Sequence, residues 1–349
     1  MKNIILTGGG TAGHCMPHLA ILPKLKSNFD NVYYIGSING IEKDIIKKVN
    51  IPYYPIETTK LIRKLTLKNF NIPFKFIKGY SQAKELIKEL NPSIIFSKGG
   101  YVALPVVLAG HKLGVPVISH ESDYTIGLAN KLSAKKSKYL LTSFEDTAKK
   151  VKNGLCVGSP IREELFLATR KDGLNEFKFS GFKPILLVLG GSLGCKLFND
   201  FDFENIDKLL LKFDVLHIVG KGNINKTINL NGYAQKEFVF DVKKAFAVAD
   251  VCLSRAGSNS VFELLALEKP TLFVPLSKKV SRGDQILNAN YFYNKVVCDR
   301  IYEEEFTFDK AFDRLVLLEK NKAEYKKRMK SLNLSSANDK IIKLLIENA

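Results

Sequence analysis

The sequence predicts an α/β protein with two Rossmann-like parallel-sheet domains facing each other across a cleft. Three observations carry that expectation. Short apolar runs alternate with amphipathic helical patterns along almost the whole chain, which is the order of βαβ units. Most of the runs are continuously apolar, as strands buried on both faces are. Two of them open into glycine-rich loops about 180 residues apart, close to half of the 349 residues.

The first series of expected strands is Asn3–Leu6, Val32–Ile35, Tyr53–Ile56, Ile94–Ser97, Val115–Ser119 and Tyr139–Thr142. The second is Ile185–Leu189, Val215–Val219, Phe238–Phe240, Val251–Ser254, Thr271–Val274 and Val296–Cys298. Each series starts with a strand, a glycine loop and a helix. The loops are Gly8-Gly9-Gly10-Thr11-Ala12-Gly13 and Gly190-Gly191-Ser192-Leu193-Gly194. A helix is expected over Ala103–Leu113. The domain boundary falls between Pro160 and Pro184, where Arg170–Gly173 and Ser180–Pro184 read as turns, so the domains are expected at 1–162 and 163–329. Ile341, Ile342, Leu344, Leu345 and Ile346 sit among charges at helical spacing. A terminal helix within about 330–349 is therefore expected, and it could pack back on the first domain.

Hydrophobic residues make up 46% and charged residues 25%, which excludes fibrous and wholly disordered chains. No stretch approaches the ~20 apolar residues of a spanning helix. The apolar run Ile4–Leu6 is too short for a signal peptide, so a cytoplasmic location is expected. Five cysteines, none in a C-x-x-C pair, disfavour disulfide and zinc scaffolds, and all five are expected to be buried small apolar groups. The net charge of +18 calls for a polyanion, an anionic membrane or anionic substrates. From Thr58 to Lys84 there is no acidic residue, while Lys60, Arg63, Lys64, Lys68, Lys75, Lys78 and Lys84 alternate with Leu61, Leu65, Phe70, Phe74 and Ile77. Such a stretch either docks on an anionic membrane or is a solvated basic helix over an ordinary core; both readings stand.

Gly8-x-Gly10-x-x-Gly13 matches the dinucleotide fingerprint, yet a nicotinamide site wants an acidic residue about 20 positions on. Tyr33-Tyr34-Ile35-Gly36-Ser37 has none, and no Gly-Lys-Ser/Thr follows the loop. What remains is anion binding by bare N–H groups at a helix N-terminus. One such loop per domain suits the joining of two phosphate-bearing molecules. A tight turn is the alternative, weaker for runs so dense in glycine. His14 ends the first loop. A zinc H-E-x-x-H reading with His18 fails, because position 15 is Cys and Pro17 intervenes. His14 instead suits a general base, while His18, His111 and His217 read as structural. Further clusters follow expected strands: Ser97-Lys98-Gly99-Gly100-Tyr101, His120-Glu121-Ser122-Asp123, Gly158-Ser159-Pro160-Ile161-Arg162 and Ser254-Arg255-Ala256-Gly257-Ser258. Ser260-x-x-Glu263 matches a capping box; Glu263 is equally suited to accept ribose hydroxyls.

These clusters, with Gly127–Lys131, Pro270, Val274-Pro275, Asp284-Gln285 and Asn288-Ala289, keep an order and spacing that resembles the MurG family of peptidoglycan glycosyltransferases, glycosyltransferase family 28 of the GT-B fold. The resemblance spans nearly the whole chain. It implies transfer of GlcNAc from UDP-GlcNAc to undecaprenyl-diphosphate-MurNAc-pentapeptide (lipid I), giving lipid II, by an inverting displacement with no cofactor and no metal. It implies a peripheral place on the cytoplasmic face of the cell membrane, with UDP-GlcNAc, lipid I, the anionic inner leaflet and cell-wall assembly proteins as partners, and no nucleic acid. The first domain would bind the acceptor and the membrane, the second the donor.

The implied roles fall as follows. His14, Asp123 and Glu121 would lie at the reaction centre. Gly9, Gly10, Gly99, Gly100 and Tyr101 would hold the acceptor. Thr11, Ala12, Gly13, Asp123, Arg162, Ser192, Arg255, Gly257, Ser258, Glu263, Gln285 and Asn288 would hold UDP-GlcNAc, with Arg162, Ser192 and Arg255 on its phosphates, Glu263 on its ribose and Gln285 with Asn288 on its sugar. The base would be His14, or Asp123 if His14 only positions. With no D-x-D motif in a suitable place, helix N-termini and Arg255 would meet the leaving charge. The alternatives are another GT-B nucleotide-sugar transferase acting on a lipid, such as a diacylglycerol glycosyltransferase, and a non-enzymatic membrane- or nucleic-acid-binding protein.

Overall fold

A computed structural model describes residues 1–59, 72–191, 194–239 and 241–349. The chain divides into two compact units, Met1–Arg162 with Ser335–Ala349, and Glu163–Leu334.

The first unit holds seven strands: β1 (Asn3–Thr7), β2 (Asn31–Ser37), β3 (Tyr53–Ile56), β4 (Ile94–Ser97), β5 (Val117–Glu121), β6 (Tyr139–Thr142) and β7 (Gly154–Cys156). Their order is β3-β2-β1-β4-β5-β6-β7 and every pair is parallel. Between them run α1 (Ala12–Asn28), α2 (Ile41–Lys47), α3 (Ile72–Leu90), α4 (Ala103–Lys112), α5 (Leu128–Ala134) and α6 (Glu145–Ala148). β1, β4 and β5 are buried throughout; Ile4–Leu6 and Ile94–Phe96 are accordingly apolar on both faces, while β5 runs from Val117-Ile118 into the buried polar Ser119-His120-Glu121. One core joins Ile4, Leu6, Ile21, Leu25, Tyr34 and Phe96. The other face packs Ile5, Ile35, Ala83, Ile95 and Val106.

In the second unit, α7 (Arg170–Phe177) leads to β8 (Ile185–Leu189), α8 (Lys196–Lys212), β9 (Asp214–Ile218), β10 (Tyr233–Lys236), α9 (Val242–Val248) and β11 (Val251–Ser254). Then come α10 (Ser258–Ala266), β12 (Thr271–Phe273), α11 (Asp284–Asn294), β13 (Asp299–Arg300), α12 (Phe308–Lys320) and α13 (Lys322–Ser331). The strand order is β10-β9-β8-β11-β12-β13, again all parallel. In both sheets the order in which strands are added reverses at one place, between β1 and β4 and between β8 and β11. Such switch points are where open α/β sheets bind ligands.

The last helix, α14 (Ala337–Glu347), belongs to the first unit. Ile341, Ile342 and Leu345 enter the core of α1 and β1, each stabilising by about 1.5–3 kcal/mol. Buried Asn338 donates to the Ile161 carbonyl (2.7 Å) and accepts from the Ile161 N–H (3.0 Å).

Several expectations shift. Arg170–Gly173 is no turn but the start of α7, because Thr169 and Asp172 form a reciprocal capping box. Strand β10 lies at Tyr233–Lys236 rather than Phe238–Phe240, and Phe240 lies outside the described residues. Strand β13 follows Val296–Cys298 instead of coinciding with it, and β7 has no counterpart among the expected strands. All three are edge strands, which bury less and so carry little apolar signal. Cys156, on β7, is exposed, unlike the other four cysteines.

Candidate functional site

In the first unit, the loops after β1 and β4 interlock at the switch point. Gly10 and Gly100 have φ of +87° and +82°. A Cβ on Gly100 would stand 2.3 Å from the Gly9 carbonyl oxygen, and one on Gly10 would stand 2.5 Å from the Tyr101 ring. Only glycine permits both the left-handed backbone and this approach. Behind the first loop lies Glu42, fully buried, which accepts from the Gly10 N–H (3.2 Å), the Ser37 N–H (3.0 Å) and the Ser37 hydroxyl. The Tyr34 hydroxyl donates to the Gly8 carbonyl (2.7 Å). Gly99 donates its N–H to Ser97 Oγ. Burial pushes the Tyr101 phenol up, helped by Glu42.

His14 stands half-buried in the first turn of α1, with Nδ1 2.9 Å from Thr11 Oγ1. The tautomer that donates Nδ1–H to Thr11 makes Nε2 the basic nitrogen. Thr11 and Gly13 flank it as N-cap and first-turn residues. Buried His18 packs edge-on against Tyr34 and Phe96; its structural reading agrees with that packing.

Glu121 ends β5 and Asp123 lies in the loop that follows. Glu121 is buried, and its carboxylate accepts from the N–H of Asp123 (3.1 Å), the N–H of Gly127 (2.9 Å) and Asn130 Nδ2 (3.0 Å). Burial, reinforced by the Asp123 charge, pushes its pKa up. This geometry makes Glu121, expected at the reaction centre, a brace that folds the 122–127 turn onto the start of α5. Asp123 stands at the head of that turn. Arg162 closes the unit next to Ile161.

In the second unit the loops after β8, β11 and β12 gather at one sheet edge. Ser192 lies outside the described residues, between Gly191 and Gly194. Gly257 caps α10, and nothing stands within 4 Å of where its Cβ would be, so the space beside the cap is open. Ser258 begins the helix. The N-cap is Gly257, so Ser260 sits inside the first turn and the Ser260–Glu263 capping box does not exist; Glu263 stands half-buried one turn further on.

Arg255, expected on the donor's phosphates, is engaged within the protein. Nη2 reaches Glu303 Oε1 (2.5 Å), Nη1 donates to the Val274 carbonyl (3.0 Å), and the guanidinium stacks over Phe198 at 5.0 Å. Glu303 in turn accepts from the Ser277 N–H (2.7 Å). Arg255 thus ties two loops together. Gln285 accepts from the Leu276 N–H (3.1 Å), and Asn288, fully buried, donates to the Ala256 carbonyl (3.2 Å). Asn288 therefore braces the Ala256 turn, where a direct sugar contact was expected.

Sequence reasoning gave no role to Lys98, His120, Glu42, Asn130 or Glu303. Glu303 sits in an acidic run 48 positions from Arg255, and no pattern links the two. Lys98 and His120 did carry a signal, as polar residues at strand ends next to the glycine and carboxylate motifs.

The chain matches the glycosyltransferase family 28 N-terminal domain over residues 4–142 and the family's C-terminal domain over residues 185–345. It is similar to the UDP-N-acetylglucosamine–N-acetylmuramyl-(pentapeptide) pyrophosphoryl-undecaprenol N-acetylglucosamine transferase of Clostridium tetani (strain Massachusetts / E88), at 50% identity over 99% of this chain and 97% of that one. The protein of the same name from Clostridium botulinum (strain Alaska E43 / Type E3) is 46% identical over 99% and 98%. The crystal structure of Acinetobacter baumannii MurG shares the fold at a TM-score of 0.77 and 24% identity, covering 99% of this chain and all of that one. The chain belongs to glycosyltransferase family 28.

Proposed function

We infer that the protein transfers GlcNAc from UDP-GlcNAc to N-acetylmuramyl-(pentapeptide) pyrophosphoryl-undecaprenol, lipid I, and so makes lipid II for peptidoglycan. The carrying observation is 50% identity, over nearly the full length of both chains, to a transferase named for this reaction. The geometry of each unit agrees with it. In the first unit, the interlocked loops Gly8–Gly10 and Gly99–Tyr101 and the N-terminus of α1 favour the acceptor's diphosphate. His14, oriented through Thr11, takes the proton of the acceptor hydroxyl as that oxygen attacks the anomeric carbon. The C1–O bond to UDP breaks, and the configuration inverts. Asp123 is the alternative base. In the second unit, the N-terminus of α10 takes the leaving diphosphate and Glu263 the ribose. Arg255, Gln285 and Asn288 hold the loops that form this site, and Glu121 holds the turn that carries Asp123.

The enzyme works as a peripheral protein on the cytoplasmic face of the membrane. Among the described residues no helix is long and apolar enough to cross one. Phe74 and Ile77, 74% and 64% exposed, stand one turn apart near the start of α3 beside exposed Lys75 and Lys78. Apolar groups flanked by lysines suit an anionic leaflet. The rest of that stretch, Lys60, Leu61, Arg63, Lys64, Leu65, Lys68 and Phe70, lies outside the described residues.

Product analysis with a lipid I analogue decides the activity. The expected result is a lipid II analogue from UDP-GlcNAc, and far less product from UDP-glucose or UDP-galactose. Preference for another sugar, or no transfer, would overturn the reading.

A further inference from the structure

Lys98 follows β4 directly and is 2% exposed. Its Nζ lies 2.5 Å from His120 Nδ1 and 2.7 Å from Ser122 Oγ. His120 Nε2 lies 2.9 Å from the Gly158 carbonyl oxygen. A carbonyl only accepts, so Nε2 carries the proton and Nδ1 accepts from Lys98. Both of these hydrogen-bond partners are neutral. A buried ammonium held by neutral groups is costly, and a methionine of similar size would pack without that cost.

The location suggests what the charge does. The Lys98 Cβ lies 3.2 Å from where a Cβ of Gly8 would be, and the next two residues are Gly99 and Gly100. The lysine thus starts beneath the seam where the two glycine loops meet. We propose that Lys98 is a positioning residue: its protonated ammonium supplies positive field beneath the two loops and fixes the 120–123 turn, so that seating the acceptor's diphosphate draws a proton onto Lys98. This rests on the functional reading above, which puts that diphosphate on these loops.

Burial lowers the Lys98 pKa to about 7, against the upward pull of Glu121 and Asp123. The site therefore loses its cation as pH rises through neutrality, and an anion bound above it delays that loss. The other groups facing it are few. His14 and His18 come from α1, and burial and Lys98 together keep His18 neutral. His120 is kept neutral in the same way. Glu42 and Tyr34 border the first loop from α2 and β2, and Tyr101 follows the second.

The test measures KM for a short-chain lipid I analogue from pH 6 to 9, with UDP-GlcNAc saturating, in the wild type, Lys98→Met and Lys98→Arg. The acceptor KM of the wild type should rise about tenfold across neutrality, the scale of one charge acting through protein at an effective dielectric near 20. Lys98→Met should show the high KM at every pH, and Lys98→Arg should keep the low KM to pH 9. A merely structural lysine would lower the melting temperature of Lys98→Met and leave the inflection in place, which overturns the proposal. Should both variants fail to fold, calorimetry on the wild type at pH 7.5 in two buffers of different ionisation enthalpy decides. The analogue's diphosphate diester does not titrate there, so uptake of part of a proton on binding supports the proposal and none overturns it. Wild type that makes product with a flat acceptor KM overturns this inference alone. Wild type that makes none overturns the functional reading and this inference with it.

Discussion

Gly100→Ala tests whether the two acceptor-side loops act as one rigid cradle. The added methyl would stand 2.3 Å from the Gly9 carbonyl oxygen, at a φ of +82°. The obstacle is backbone, which cannot rotate aside, so the Gly9 peptide must move by several tenths of an ångström or more. Gly114→Ala is the internal control: φ is +76° and nothing lies within 4 Å. It incurs only the left-handed backbone cost, about 1–2 kcal/mol, or a few degrees of melting temperature. Gly100→Ala incurs that and the clash as well. Displacing a loop that positions substrate typically costs ~10²-fold in rate. The assay is turnover of a lipid I analogue with melting temperature and UDP affinity recorded alongside. Gly100→Ala should melt lower than Gly114→Ala, lose about two orders of magnitude in turnover and keep UDP affinity, because α10 and its loops are in the other unit. Equal turnover in the two variants would refute the reasoning, since the loops could then part freely.

Three other outcomes follow from the same geometry. His14→Ala should cost ~10²–10⁴-fold in turnover with UDP still bound; wild-type turnover would pass the base role to Asp123. Glu121→Gln offers only one acceptor oxygen for three donors, so at least one buried N–H is stranded, at about 1–3 kcal/mol. Because burial raises the Glu121 pKa, the folded state keeps that proton at a pH where the unfolded chain has lost it. The wild type should therefore lose stability as pH rises from the unfolded carboxylate pKa through the raised folded one. Urea melts should show a shallower slope for Glu121→Gln over that window, and an identical slope would refute the assignment. Asn338→Ala strands the buried N–H and carbonyl of Ile161 and should lower the melting temperature by the equivalent of about 2–4 kcal/mol; an unchanged melt would show that α14 is held by its apolar side chains alone.

Local chemistry was enough for much of this protein. A parallel strand covered on both faces must be apolar throughout, so β1, β4, β8 and β11 read directly from their residues. A loop that bares its N–H groups at a helix start needs glycine, so Gly8–Gly10 and Gly190–Gly191 announced both switch points. The edge strands β7, β10 and β13 did not announce themselves, because a strand with one neighbour and one covered face has little apolar pattern to display. The capping box at Thr169 was hidden by its Asp172, which replaces the usual Glu or Gln.

What only the tertiary structure decided is which polar residues hold the site loops in place. Glu121, Arg255 and Asn288 stand in motifs that read as contacts, yet they hydrogen-bond to backbone and to the side chains of Asn130 and Glu303. Glu42 and Glu303 belong to no recognised site pattern, and Lys98 stands in one without a role of its own, yet Glu42 meets the first glycine loop, Lys98 the 120–123 turn and Glu303 Arg255. The physical reason is that hydrogen bonding and burial depend on distances in space. Sequence spacing reports such distances only within one helix or strand, whereas the pairs Glu42–Gly10, Lys98–Ser122, Arg255–Glu303 and Asn288–Ala256 lie 24 to 48 positions apart.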